Sequence, residues 1–129
     1  MIEPVLERWD TDPDTGSLRQ DLLTLTLMMR DSTALPEGRA LTAVATAGEL
    51  RDLLRRTTER AIAPFHRAFD RAVARGEISA VADAYMMAHV IFHGVVGWEP
   101  RHGALPTDEE CARMVSVVLG GRQGESHPR

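Results

Sequence analysis

The chain has 129 residues and a mass of 14.2 kDa, which fits one domain of roughly 100 to 200 residues. Its 15 basic and 19 acidic residues leave a formal charge of −4, and 43% of residues are apolar, so the composition fills one core and argues against binding nucleic acid by bulk charge. All fifteen basic residues are arginine, asparagine is absent and Cys111 is the single cysteine, which removes Schiff-base lysine chemistry, a phosphate-loop lysine, a Cys-His-Asn triad, N-glycosylation, an internal disulfide and a multi-cysteine zinc site.

Residues 1–17 lack the basic and apolar regions of a signal peptide. Glu3, Glu7, Asp10, Asp12 and Asp14 stand against Arg8 alone and lead into Asp12-Pro13-Asp14-Thr15-Gly16-Ser17, a cluster of turn formers. A helical stub and an acidic linker are expected here. Ser17 is an N-cap for a helix to about Thr33, with Leu18, Leu22, Leu25 and Met29 at helical intervals. Pro36, Glu37 and Gly38 interrupt the chain, and a shorter helix to about Thr46 follows.

The longest expected helix starts near Leu50 and ends at Arg75-Gly76. Leu53, Leu54, Thr57, Ala61, Phe65, Ala68, Phe69, Ala72 and Val73 share one of its faces. Pro64 sits inside it and predicts a kink rather than a stop. From Ser79, with Asp83 in its first turn, a helix is expected to run to Trp98 with almost no polar face, so it must be buried on two sides. Its apolar run from Ala84 is broken by His89 and His93 and is too short for a membrane span. A loop is expected over residues 99–106, and Thr107-Asp108-Glu109-Glu110 then predicts a capping box. The last helix carries Cys111, Met114, Val115, Val118 and Leu119, and Val117 widens that stripe beyond the needs of one partner helix. Residues 122–129 read as a disordered tail. The fold class is all-α, a bundle of about five main helices, and the lone cysteine and missing signal peptide fit the cytoplasm without membrane attachment.

Several segments together resemble a known family: Pro13-Asp14-Thr15-Gly16-Ser17-Leu18-Arg19-Gln20-Asp21-Leu22, Pro36-Glu37-Gly38-Arg39-Ala40-Leu41, Ile62-Ala63-Pro64 in a long helix, and Ala72-Val73-Ala74-Arg75-Gly76-Glu77-Ile78. Over about residues 12–120 the chain resembles the C-terminal regulatory domain of TetR-family transcriptional repressors. The resemblance implies a regulatory domain over residues 18–121 that binds a small effector and forms a homodimer through its last two long helices. It also implies DNA contact only through an N-terminal helix-turn-helix, of which residues 1–11 offer no trace.

A largely apolar effector pocket is expected between the first, kinked and histidine-bearing helices, lined by Leu25, Met28, Met29, Phe65, Phe69, Met86, His89 and His93, since methionines adapt to varied ligands and imidazoles are the expected polar fixtures. Each of these residues also has a plain reading as core. The surplus apolar surface of the last two long helices assigns Val81, Tyr85, Ala88, Phe92, Val96, Cys111, Met114, Val115 and Val118 to a dimer interface. His89 and His93 have the i, i+4 spacing of metal ligands, with His66 a conceivable third, but Val90 stands where a zinc hydrolase carries glutamate. No metal or cofactor is therefore expected. The arginines Arg51, Arg55, Arg56 and Arg60 are interleaved with Asp52 and Glu59, as on a solvated helix face. No Gly-x-Ser-x-Gly elbow gathers the Ser, His and acidic residues, so enzyme activity has no positive support. The reading from a different class is a helical interaction module that dimerises and holds no ligand.

Overall fold

The computed structural model describes residues 12–36, 39–40, 51–79 and 83–120; for Arg51, Leu53 and Leu54 it describes the backbone alone. The expected stub, the turn at Glu37-Gly38, most of the short helix after it, Val81 and the tail from residue 121 lie outside this set. The described residues hold no strand, and five helices are described from end to end: α1 (Leu18–Thr33), α2 (Arg51–Ala74), α3 (Ala84–Val96), α4 (Trp98–His102) and α5 (Asp108–Val118); Pro36, Arg39 and Ala40 are also helical.

Helix α1 is the central element and touches α2, α3 and α5. Leu18, Leu22, Leu25 and Met29, the predicted stripe, are all buried. Asp21, Thr26, Ser32 and Thr33 are buried beside them, so the covered face is wider than an apolar period reveals. Two of those hydroxyls are satisfied within the helix, Thr26 Oγ1 donating to the Leu22 carbonyl at 2.6 Å and Thr33 Oγ1 to the Arg30 carbonyl at 2.7 Å.

The turn-forming segment ahead of α1 has a structural task at nearly every position. Gly16 takes φ +89°, a conformation that favours glycine, and Ser17 Oγ accepts from the Gln20 N–H at 3.3 Å. Thr15 donates its N–H and hydroxyl to Asp21 Oδ1 at 2.9 and 2.7 Å. Arg71 of α2 reaches over this turn to Asp12 Oδ1 at 2.6 Å, the Pro13 carbonyl, Asp14 at 3.4 Å and the buried Asp21 Oδ2 at 3.7 Å. The far end of α2 closes the same region. Gly76, at φ +79°, forms a Schellman cap with Gly76 N–H donating to Val73 and Glu77 N–H to Ala72. That turn aims the Glu77 carboxylate at the first amide of α1, where it accepts from Leu18 N–H at 3.0 and 3.2 Å. An acid at a helix N-terminus satisfies an orphan donor and the dipole together.

Helix α2 runs unbroken through the buried Pro64, as a kink-not-stop reading requires. Thr57, Ala61, Phe65, Ala68, Phe69 and Ala72 are buried as their spacing predicts, and Ile62 joins them. Helix α3 differs from expectation at its start. Ser79 is not helical; Asp83 is the N-cap and accepts from the Met86 N–H at 3.2 Å. Its core face is Ala88, Ile91, Phe92 and Val95. Within one chain it is therefore covered on one side. The expected loop after Trp98 contains the one-turn helix α4, closed by Gly103 at φ +82°. Helix α5 opens with the predicted capping box, Thr107 N–H donating to Glu110 Oε1 at 2.9 Å and Glu110 N–H to Thr107 Oγ1 at 3.1 Å. Arg30 ties α1 to this turn through Asp108 at 2.6 Å and the Pro106 carbonyl at 3.2 Å.

Candidate functional site

The outer surface shared by α3 and α5 is apolar: Val90 is 50% exposed and Val117 75%, and Met86, one turn before Val90, is about half exposed. Tyr85, also half exposed, stands on the α2 side of α3 against His66. Val90 and Val117 border an open groove of about 280 Å³ whose walls include Ile91, Gly94, Trp98, Met114 and Val118 and whose rim carries Glu110 and Arg113. Gly94 forms part of its floor, where the Met114 sulfur lies 3.5 Å from the place a Cβ would take.

The residues assigned to an interface divide by this geometry. Met114 and Val118 line the groove and Tyr85 is exposed. Val96 is partly buried against the core. Ala88, Cys111 and Val115 are wholly buried and Phe92 nearly so, which leaves them next to no surface for a partner. The reason is rotational: counting the face of α3 from Tyr85 turns it away from Ile91, which completes the Ala88, Phe92, Val95 set at helical spacing and moves Met86 and Val90 outward. Met86, Val90 and Val117 present exposed apolar surface outside the expected interface set, and the surplus width of the α5 stripe points to Val117.

Among the described residues, the place expected for the effector pocket holds a small gap. Leu25, Met28, Met29 and Phe65 converge there with Ala61 and Pro64, but the space holds about 10 Å³, room for roughly one water molecule. Phe69 is buried in the core nearby. Met86 and His93 are exposed and His89 half-buried, on the outer side of α3, so neither an imidazole nor Met86 lines this gap.

His66 of α2 and His89 and His93 of α3 instead form a row with Tyr85, their rings stacked or tilted against one another. Ring centroids are 5.8 Å apart for His66 and Tyr85, 4.1 Å for Tyr85 and His89, and 6.0 Å for His89 and His93. His89 Nδ1 lies 2.9 Å from the Tyr85 carbonyl. Partial desolvation, and then the neighbouring His89, hold the His93 imidazole below its ordinary 6.5. No group of three or more His, Cys, Asp or Glu side chains among the described residues is placed to hold a metal. The arginine-rich start of α2 is partly self-neutralised, with Arg55 at 4.0 Å from Asp52.

No helix among the described residues is long and apolar enough to cross a membrane. No curated protein and no solved structure matches the chain. The family described as tetracyclin repressor-like, C-terminal domain matches residues 12–118, a span that begins at the Arg71-bound aspartate and ends at the last residue of α5. The clasped entry to α1, the proline-bearing long helix and the closing helices thus all fall inside the match, and the chain belongs to the tetracyclin repressor-like C-terminal domain family.

Proposed function

We propose that this domain joins two copies of the chain through the outward faces of α3 and α5 and senses a small apolar effector, whose binding controls DNA reading by a helix-turn-helix unit. The observation that carries the dimer is the exposed apolar surface around the groove, with Val117 75% and Val90 50% exposed. Contiguous apolar surface of this kind marks interaction sites on soluble domains. A two-fold arrangement lets one self-complementary patch cover both copies. Light scattering on the purified chain tests this: twice the 14.2 kDa chain mass is expected, and a monomer at micromolar concentration contradicts it.

The effector is placed at the gap between α1 and α2 beside Pro64. Its walls are apolar, and Met28 and Met29 have the flexible side chains that yield to an incoming ligand. An effector acts only if it binds two states of the domain unequally, and here the two states are the closed gap and the same gap opened by displaced methionines. The alternative, a dimerisation module with no ligand, is favoured by the gap's volume of about 10 Å³. Native mass spectrometry separates the two. A bound apolar compound whose binding is weakened by Met28→Gln, which sets a polar amide of similar length in the partly buried wall of the gap, supports sensing; a dimer that is ligand-free in every preparation supports the module.

A further inference from the structure

We propose that His89 and His93 form a two-histidine site for a divalent transition-metal ion of the zinc and copper class on the outer edge of α3. The i, i+4 spacing sets both rings on one helix face, and their centroids lie 6.0 Å apart. With metal–nitrogen bonds of about 2.0–2.1 Å, one ion bridges two imidazoles whose centroids are up to roughly 6.4 Å apart, and a tetrahedral angle brings them to about 5.2 Å. The observed 6.0 Å lies between these two limits, about 0.8 Å above the tetrahedral one.

The tautomer is already arranged for ligation. His89 Nδ1 lies 2.9 Å from the Tyr85 carbonyl, an acceptor without a proton, so Nδ1–H donates and Nε2 keeps its lone pair. Such a bond from the non-ligating nitrogen is the usual outer-sphere support of a metal-bound histidine, fixing both ring orientation and basicity. Contact with Tyr85 at 4.1 Å further restrains the ring. His93 is exposed and His89 half-buried, so an ion reaches both from solvent and water completes its coordination. Imidazole pairs favour Zn²⁺, Ni²⁺ and Cu²⁺ over the oxygen-seeking Mg²⁺ and Ca²⁺. His102 supplies an internal comparison. Its Nδ1 is 3.0 Å from the Trp98 carbonyl, the same local bond, but its ring partner is Trp98 at 4.0 Å instead of a second imidazole.

The test is calorimetric titration of the full chain with Zn²⁺ at about pH 7.5, above the ordinary imidazole range. One ion per chain is expected. His89→Gln and His93→Gln should each weaken binding by about tenfold or more, because losing a direct ligand costs at least what losing its outer-sphere support does. H66Q and H102Q should stay within about twofold of the parent chain, and Cu²⁺ should bind more tightly than Zn²⁺. Zinc should also raise the melting temperature of the parent chain and not of H89Q or H93Q, since only the folded helix holds the two rings together; thermal melts without metal show whether each variant is folded. Unchanged zinc affinity in H89Q and H93Q overturns the site, as does a loss in H102Q or H66Q equal to theirs.

Discussion

Replacing Arg71 with methionine should be the most damaging single change to the entry of α1. Methionine keeps much of the apolar stem and removes the guanidinium, which holds Asp12 at 2.6 Å, Asp14 at 3.4 Å and Asp21 at 3.7 Å. The first two partners are at least half exposed and contribute about 0–1 kcal/mol each. Asp21 is fully buried. At 3.7 Å and an effective dielectric of about 20, its attraction to Arg71 is about 4–5 kcal/mol before desolvation. Breaking a buried pair costs about 3–5 kcal/mol. Two hydrogen bonds from Thr15 remain to Asp21 and the Arg71 side chain is 22% exposed, so the loss should be about 2–4 kcal/mol, or roughly 8–16 °C in melting temperature for a chain of this size. Urea unfolding followed by circular dichroism measures it, in a cycle of R71M, D21N and the double variant. The double variant should be more stable than the sum of the single losses implies by about 2 kcal/mol. R71M within about 0.5 kcal/mol of the parent, or strictly additive variants, would refute the clasp.

Further outcomes follow from the core and its titratable groups. Phe65→Ala removes a fully buried ring between α1 and α2 and should cost about 3–5 kcal/mol in urea unfolding; a loss below about 1 kcal/mol would mean that Phe65 is not packed as described. Cys111 is wholly buried, and burial pushes its thiol above the usual range, so labelling by a thiol reagent should wait for unfolding and speed up in step with urea; rapid labelling of the native chain would contradict that burial. On acidification the unfolded chain takes up a proton near 6.5 before folded His93 does, so a small part of the stability should be lost as pH falls from about 7 through that value, and His93→Gln should remove that part. Asp12, lowered mainly by its hydrogen bond to Arg71, has a separate window: its contribution persists above 3.8 and is lost as pH falls through its lower folded value. A melting temperature independent of pH between about 7 and 5 would contradict the His93 assignment.

The helices were legible where local chemistry decides them. Ser17 and the Thr107–Glu110 box cap where turn and cap residues predict, and Leu18, Leu22, Leu25 and Met29 are buried as their intervals require. The rotation of α3 was not legible, because a helix apolar on nearly every side has no polar stripe to mark its outside. Its packing against α1 and α2 selects Ala88, Ile91, Phe92 and Val95, which turned assigned interface residues inward and assigned pocket residues outward. The roles of Asp21, Arg71 and Glu77 depend on contacts 50 or 59 residues apart in sequence, beyond any local pattern. They show that much of the opening segment that carries the family resemblance builds the entry to α1.

The outward faces of α3 and α5 are most directly tested by the solution mass of Val117→Asp beside that of the parent chain. Val117 is 75% exposed in the single chain, so aspartate there has water to solvate it and should leave helix content and monomer packing unchanged. In a dimer joined across this face it buries an unpaired charge in each copy. Light scattering should return a dimer for the parent and a monomer with unchanged circular dichroism for Val117→Asp; a variant as dimeric as the parent, or a monomeric parent, would contradict the account.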